Sequence, residues 1–192
     1  MSKTAILEID GKRYEFPVTV GTENEVAIDI AKLRALSGAI TLDPGFKNTG
    51  SCESSITYLD GELGILNYRG YSIDELAEHA TFLEVSYLLV FGELPTKAEL
   101  EQFETDIRKY SLVHEEMKNI IDGFPKTAHP MGVLASLTSA LTAFNPKSVN
   151  PHNEKEMYDA VCKTMGKFLV IATWTYRKTM GFPLNYYDNT KG

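Results

Sequence analysis

The chain has 192 residues, of which 43% are hydrophobic and 23% are charged, and this composition is ordinary for a soluble globular protein with a buried core. Its formal net charge of −7 argues against a nucleic acid or an anionic membrane as the main partner, because attraction to phosphate groups needs a basic excess. We therefore expect one soluble domain over residues 1–192, with no nucleic-acid partner and no membrane partner.

The N-terminal sequence and the cysteines indicate a cytoplasmic protein. The first ten residues lack the long apolar core of a signal peptide. The longest apolar runs, Met131–Phe144 and Phe168–Trp174, are too short or too polar to supply the ~20 apolar residues that cross a bilayer. Cys52 and Cys162 lie far apart in no metal-like spacing, which predicts two free thiols in a reducing compartment.

The first elements in the chain are a predicted hairpin and a short helix. Residues 4–19 alternate apolar and polar positions around Asp10-Gly11, a pair that suits a type I′ turn. Pro17 cannot donate a ladder hydrogen bond, so its strand is predicted to lie at an edge of the sheet. A short helix is predicted to begin at Asp29 and to end at Ser37-Gly38.

A second hairpin is predicted near residues 56–68. The β-rich run Ile56–Leu59 is followed by Asp60-Gly61, which favours a type I′ turn, and Gly64–Tyr68 can return as the partner strand. Ser72 and Glu75 then have the S-x-x-E spacing of a capping box, in which each side chain satisfies a backbone N–H at the start of a helix.

Local signals mark the ends of the later helices. A helix is predicted from about Phe82 to Phe91, where Gly92 ends it. Thr96 and Glu99 form a further capping box. The elements together predict a mainly α protein with a small N-terminal antiparallel β element and the hairpin near residues 56–68.

The last two predicted helices have clear start and end signals, and the first of them is expected to be buried. His129-Pro130 begins a helix that reaches about Phe144 and is apolar on nearly every side, so we expect it to be buried at the centre of the domain. The longest helix begins after Asn153 and ends near Gly181.

No pattern in the 192 residues predicts a catalytic residue or a metal site. The four histidines do not occur in H-x-x-x-H or H-E-x-x-H spacing, and they are His79, His114, His129 and His152. The chain has no G-x-S-x-G nucleophile elbow, no phosphate-binding G-x-x-x-x-G-K loop and no zinc-binding pattern. His129, directly before Pro130, is predicted to be a helix-start residue.

One long stretch nevertheless resembles a known family. The run DGELGILNYRGYSIDELAEHATFLEVSYLLVFGELPT, residues 60–96, closely resembles the amino-terminal region of citrate synthases, which carries D-G-x-x-G-x-L-x-Y-R-G-Y-x-I-x-x-L and a later G-E-L-P-T. The preceding ITLDPGFKNTGSCESSITYLDG, from Ile40 to Gly61, is similar to the hexameric bacterial (type II) subtype. The resemblance implies a multi-helix citrate-synthase-like fold and a homo-oligomer.

The resemblance also implies an activity for the parent protein. Citrate synthases condense acetyl-CoA with oxaloacetate to citrate and CoA, using an aspartate base, two histidines and carboxylate-binding arginines. The family carries these groups in H-x-D-H-E and G-x-x-H-G-x-A-N segments, and neither occurs in the 192 residues. We therefore expect an amino-terminal portion that is inactive by itself. The alternatives are a portion of 2-methylcitrate synthase, which uses propionyl-CoA, or a non-catalytic helical assembly or regulatory module.

Some members of the bacterial subtype have an allosteric NADH site, and its positions can be found in this sequence. By position they are Lys109, Tyr110, Ser111, Lys163 and Lys167. Tyr110 stands where the family has a histidine, and Asn145 stands where it has a tyrosine. Lysine supplies a point charge where arginine would supply a planar fork. The resemblance implies NADH as a regulatory ligand and no cofactor, and the alternative for Lys163 and Lys167 is a solvated helix stripe.

Overall fold

The computed structural model describes residues 3–145, 149–186 and 188. The chain divides into two compact units, Met1–Ser55 and Ile56–Gly192. Over these described residues the fold is mainly helical with two small antiparallel sheets, so the predicted fold class is confirmed. That residues 1–192 form a single domain stays a prediction. Among the described residues, no helix combines the length and the apolar character needed to cross a membrane.

The first unit contains a three-stranded sheet in the order β1-β2-β3, formed by Thr4–Ile9, Lys12–Val20 and Val26–Ile28. The turn between β1 and β2 is as predicted, because Asp10 and Gly11 both have positive φ angles, 50° and 74°. The third strand was not predicted, since three residues are too few to show an alternating pattern.

The prediction that Pro17 lies on an edge strand is wrong, because β2 is the central strand. The carbonyl of Pro17 accepts a hydrogen bond from the Asp29 N–H at 2.9 Å, and the pairing of β2 with β3 ends at Val18 opposite Ile28. The missing N–H of Pro17 thus falls where the pairing with β3 stops, so only a bond at the end of this ladder is lost.

The helix α1, Leu33–Ser37, is shorter than predicted. The carboxylate of Asp29 accepts a hydrogen bond from the Ala31 N–H at 2.9 Å, which makes a local turn before the helix rather than a helix cap. The predicted end is confirmed, since Gly38 has a left-handed conformation with φ of 76°.

The second unit begins with a sheet of β4 (Thr57–Asp60), β5 (Ile65–Tyr68) and β6 (Tyr71–Ser72). The predicted type I′ turn at Asp60-Gly61 is wrong. Asp60 pairs with Ile65 across a four-residue loop, and the residue with positive φ there is Gly64. The carboxylate of Asp60 accepts hydrogen bonds from two N–H groups of this loop, both at 2.9 Å, and so stabilises the longer turn.

A two-residue turn with positive φ angles lies at Arg69-Gly70 instead, between β5 and β6. The φ angles are 51° and 92°, as a type I′ turn requires. The Arg69 guanidinium donates a hydrogen bond to the Leu89 carbonyl at 3.0 Å and so links this turn to the helices that follow.

In the described part of the chain, six helices follow: α2 Ile73–His79, α3 Phe82–Phe91, α4 Lys97–Lys109, α5 Met117–Asp122, α6 Pro130–Phe144 and α7 Glu154–Met180. The capping box of Thr96 and Glu99 is confirmed, and Thr81 and Glu84 form another one before α3. Ser72 caps α2 through the N–H of Asp74 at 3.3 Å, instead of through the predicted box with Glu75.

The main core lies between α5, α6 and α7. Its buried side chains are Met117, Ile121, Val133, Leu137, Val170, Ile171 and Trp174. Of α6, only Val133 and Leu137 are buried, so the prediction that this helix is buried at the centre of the domain is wrong for this chain. The reason is that α5 and α7 cover one side of α6, whereas Ala135, Ser136 and Ser139 on the other side are exposed.

Candidate functional site

The candidate site is built on a close contact between α4 and α7. A Cβ atom on Gly166 of α7 would lie 2.5 Å from the Ile107 carbonyl oxygen and 3.2 Å from the Ser111 nitrogen, so no side chain fits there. The two backbones therefore touch, and the last turn of α4 is held against the middle of α7. This contact places the five residues predicted from the resemblance in one region.

The ring of Tyr110 lies at the centre of this region. The Lys109 ammonium is 5.5 Å and the Lys163 ammonium 5.1 Å from the centroid of the ring, within the range of a cation–π interaction. The Tyr110 hydroxyl donates a hydrogen bond to a carboxylate oxygen of Asp159 at 3.4 Å. Two positive charges thus face one aromatic ring, which is tied to α7 by its hydroxyl.

Lys167 lies one turn further along α7. Its ammonium donates a hydrogen bond to the Leu112 carbonyl at 2.5 Å. Burial, with a smaller contribution from the charge of Lys163, holds the pKa of Lys167 below its ordinary value. In the described part of the chain, no carboxylate forms an ion pair with these two lysines or with Lys109. A bound anion would compensate the partly buried charge of Lys167 and would reduce the repulsion between Lys163 and Lys167.

Ser111 has a structural role at this contact. Its side chain is buried, and its hydroxyl donates a hydrogen bond to the Arg108 carbonyl at 2.7 Å. The Ser111 N–H donates to the same carbonyl at 3.1 Å. Both bonds satisfy the end of α4, where the last carbonyl groups of a helix lack intrahelical partners.

A second tyrosine–aspartate pair joins α4 and α7 beneath the lysines. The Tyr158 hydroxyl donates to a carboxylate oxygen of Asp106 at 2.9 Å, and burial is the main cause that raises the pKa of Tyr158. Burial also raises the pKa of the Cys162 thiol to about 11. Both groups stay protonated at neutral pH, so neither is a thiolate nucleophile or a general base.

Sequence reasoning missed Asp159 and Gly166 as members of this region. Asp159, Lys163 and Lys167 recur every four residues, and this spacing puts a carboxylate on the lysine face of the helix. Gly166 is the only glycine inside the 27-residue helix α7, and an isolated glycine in a helix can indicate close backbone approach. Both signals were present, but neither identifies α4 as the contacting helix.

Two of the four histidines make contacts at the ends of α6. His129 caps α6, as predicted, by accepting a hydrogen bond from the Met131 N–H at 3.3 Å. His114 stacks on Phe144 with ring centroids 4.8 Å apart. Asn145 bonds through its side-chain amide to the Leu141 carbonyl at the end of α6. Within the described ranges, no three His, Cys, Asp or Glu side chains are grouped closely enough to hold a metal ion.

Comparison with protein families gives a match over most of the chain. Residues 45–192 match the family model described as "Citrate synthase, C-terminal domain". The chain is 42% identical over 187 residues to citrate synthase 1 of Mycobacterium tuberculosis (strain H37Rv) and 42% identical over 186 residues to citrate synthase of Corynebacterium glutamicum. Each alignment covers 97% of this chain and 43% of the relative, so the chain spans less than half of the length of these relatives.

Solved structures of citrate synthases have the same fold. The enzyme of Thermotoga maritima MSB8 aligns with a TM-score of 0.64 at 31% identity, over 78% of this chain and 38% of that chain. The enzyme of Pyrobaculum aerophilum aligns with a TM-score of 0.65 at 31% identity, over 81% of this chain and 42% of that chain. The ternary complex of the Thermoplasma acidophilum enzyme with carboxymethyl coenzyme A and oxaloacetate aligns with a TM-score of 0.72 at 25% identity, over 77% of this chain and 39% of that chain. The chain therefore belongs to the citrate synthase family.

Proposed function

We propose that the chain is the amino-terminal portion of a cytoplasmic citrate synthase of the hexameric bacterial subtype. The parent enzyme condenses acetyl-CoA with oxaloacetate to citrate and CoA. The observation that carries this proposal is the 42% identity to two citrate synthases over nearly the whole chain. The helices and hairpins of the chain are then the scaffold on which the reacting groups of the other portion are held.

The isolated chain is proposed to have no condensation activity. The reaction needs a base for the acetyl methyl group and charged groups for oxaloacetate, and the H-x-D-H-E and G-x-x-H-G-x-A-N segments are absent from the 192 residues. The test measures CoA thiol release from acetyl-CoA with oxaloacetate, for this chain and for the complete gene product. Turnover by the chain alone at a rate near that of the complete protein would contradict the proposal.

A second candidate activity is 2-methylcitrate synthesis, which is the same condensation with propionyl-CoA. Both relatives compared above are citrate synthases, and this favours acetyl-CoA. The complete gene product should be assayed with both acyl-CoA substrates at equal concentration. A kcat/KM that is higher with propionyl-CoA than with acetyl-CoA would replace citrate synthesis by this second activity.

The group of Lys109, Tyr110, Ser111, Lys163 and Lys167 is proposed to be a regulatory anion site, with NADH as the ligand that the resemblance implies. Support comes from the lowered pKa of Lys167 and from the ammonium groups of Lys109 and Lys163 beside the Tyr110 ring. A bound phosphate would neutralise charges that now repel each other, and the aromatic ring offers a stacking surface.

This site is tested by melting curves with NADH, ATP or inorganic phosphate. We expect NADH to raise the melting temperature of the chain, and Lys163→Met to reduce that increase. The matched control is Lys155→Met, which removes a lysine from the exposed first turn of the same helix. An unchanged melting temperature with NADH would contradict a nucleotide site, whereas an equal effect of phosphate alone would indicate a simple anion site.

The chain is also proposed to self-associate through the exposed side of α6 and α7, in keeping with a homo-oligomeric parent. Met131 and Tyr176 are 62% and 61% exposed, and with Leu134 and Met180 they line an apolar groove of about 190 Å³. Exposed apolar surfaces of this kind favour association. Light scattering at several concentrations should show a mass above that of the monomer, and Met131→Glu should lower it. A strict monomer at high concentration would contradict this proposal.

A further inference from the structure

The segment after α7 turns back onto the helices instead of leaving them. Gly181 takes a left-handed conformation with φ of 75°, and the Phe182 N–H then donates to the Arg177 carbonyl at 2.8 Å. This is a helix end in which a glycine reverses the chain direction. The residues Phe182–Tyr186, called the latch below, therefore run beside the last turns of α7, and Leu184 packs against the main core.

One backbone carbonyl of the latch contacts a buried indole. The Trp174 N–H donates to the Asn185 carbonyl at 2.8 Å, and the Trp174 side chain is only 2% exposed. A buried N–H group without a partner is unfavourable, so the latch supplies the acceptor that this indole needs. Opening of the latch would expose the indole edge to water.

A second contact joins the latch to α5. The Lys118 ammonium donates to the Tyr186 hydroxyl at 2.6 Å and lies 4.0 Å from the centroid of the Tyr186 ring. The same ammonium lies 5.6 Å from the Trp174 ring and pairs with the Glu115 carboxylate at 2.9 Å. Lys118 thus contacts the latch, the buried indole and the residue Glu115 just before its own helix at the same time.

The latch is held less firmly than the core it covers. Arg177 of α7 also contacts it, by donating a hydrogen bond to the Pro183 carbonyl and by lying 5.7 Å from the centroid of the Phe182 ring. The side chains of Phe182 and Tyr186 are nevertheless 50% and 61% exposed, whereas Trp174 and Ile171 are buried. Segments with few buried apolar contacts open with a lower free energy than the core does. Its local opening therefore does not require that α5, α6 and α7 separate.

We infer that Phe182–Tyr186 is a conformational latch that opens and closes over Trp174 as a local unit, and that Lys118 couples its position to α5. The hydrogen bond from Trp174 and the hydrogen bond from Lys118 break together when it opens. The inference does not depend on the activity proposed above, because it rests only on contacts within this chain.

The chain offers a direct probe, since Trp174 is its only tryptophan. We expect Tyr186→Phe and Lys118→Met each to raise the rate constant for acrylamide quenching of Trp174 fluorescence by about twofold or more, while the helical circular dichroism stays unchanged. The control is Tyr71→Phe, which alters an exposed tyrosine of β6 that lies outside the latch and outside α7.

Hydrogen exchange of the unaltered chain gives a second measurement. A latch that opens locally predicts that the Trp174 indole N–H exchanges at least about tenfold faster than the backbone N–H of Ile171, which needs opening of the core. Equal protection of the two groups would overturn the inference. Unchanged quenching in both variants would overturn it as well, as would an increase that appears only when the helical signal is lost.

Discussion

The two halves of α7 pack in different ways. The first half contacts α4 through the glycine backbone at Gly166 and through tyrosine–aspartate hydrogen bonds, with Tyr158 bonded to Asp106. The second half contacts α5 and α6 through aliphatic side chains and Trp174. One continuous helix therefore has one interface fixed by close backbone approach and directed hydrogen bonds, and another fixed by apolar burial.

This difference indicates where the helix tolerates change. Apolar cores accept substitutions that conserve volume, since the packing can readjust. The contact at Gly166 cannot readjust in this way. A Cβ atom there would lie 2.5 Å from the Ile107 carbonyl oxygen, so the backbone of α4 would have to move. The α4 side of α7 should therefore be specific in sequence, and the α5–α6 side should depend mainly on size and hydrophobicity.

The largest effect is expected from Phe103→Ala, on the α4 side. Phe103 is fully buried, and its ring contacts those of Tyr87, Phe91 and Tyr158 with centroids 5.5, 6.0 and 6.2 Å apart. Removing a buried aromatic ring lowers the free energy of unfolding by about 3–5 kcal/mol. Urea denaturation measures the change, and Phe82→Ala, at a position 72% exposed, is the control. A loss no larger than that of the control would refute this packing.

A smaller loss is expected from Gly166→Ala. The new methyl group would contact the Ile107 carbonyl oxygen at 2.5 Å, and overpacking of this kind lowers the free energy of unfolding by about 1–3 kcal/mol. Gly132→Ala on α6 is the matched control, because nothing lies within 4 Å of its Cβ position. There, alanine should stabilise the helix by about 0.5–1 kcal/mol. Equal effects at both glycines would show that α4 and α7 are not in close contact.

The α5–α6 side should respond less to a change of shape. Leu137 is buried in the core, and Leu137→Met conserves its volume, so the free energy of unfolding should fall by less than about 1.5 kcal/mol. Chemical denaturation of this variant beside Gly166→Ala compares the two interfaces directly. The comparison fails if Leu137→Met is the more damaging of the two.

The parts of the fold that were predicted correctly depend on local signals. Gly92 ends α3 and Gly181 ends α7 in left-handed conformations, and Thr96 with Glu99 opens α4, because each of these needs only its own few residues. The turn at Asp60-Gly61 was predicted wrongly because the register of β4 and β5 sets the loop length, and the dipeptide alone does not fix that register.

The candidate site was only partly predictable for a related reason. The resemblance supplied the positions of Lys109, Lys163 and Lys167, but no pattern in the sequence brings Asp159 beside Tyr110. That contact depends on the crossing of α4 and α7 at Gly166, which is a tertiary property. The burial of α6 was predicted wrongly for the same reason, since a helix that is apolar on all sides does not specify which neighbours cover it.

The smallest effect concerns pH and the two capping boxes. Hydrogen bonds from Thr81 lower the pKa of Glu84, and hydrogen bonds from Thr96 lower the pKa of Glu99. Each folded pKa thus lies below the ordinary value of 4.5, so the stabilisation is present above pH 4.5 and is lost as the pH falls through the folded pKa. We expect the melting temperature to fall as the pH is lowered from about 5 to about 3.

Glu84→Gln combined with Glu99→Gln tests this assignment. Glutamine can still accept the hydrogen bonds of the capping box, but it does not titrate, so the double variant should lose less of its melting temperature over the same pH range. Glu101→Gln, at an exposed position on α4, is the control for the removal of a carboxylate. The same pH dependence in the double variant and in the unaltered chain would mean that other carboxylates cause the acid sensitivity. Asp43 and Glu115 would then be the next groups to test, because their pKa values are also lowered. Because the boxes begin α3 and α4, a positive result would assign part of the acid sensitivity to the N-terminal ends of these two helices.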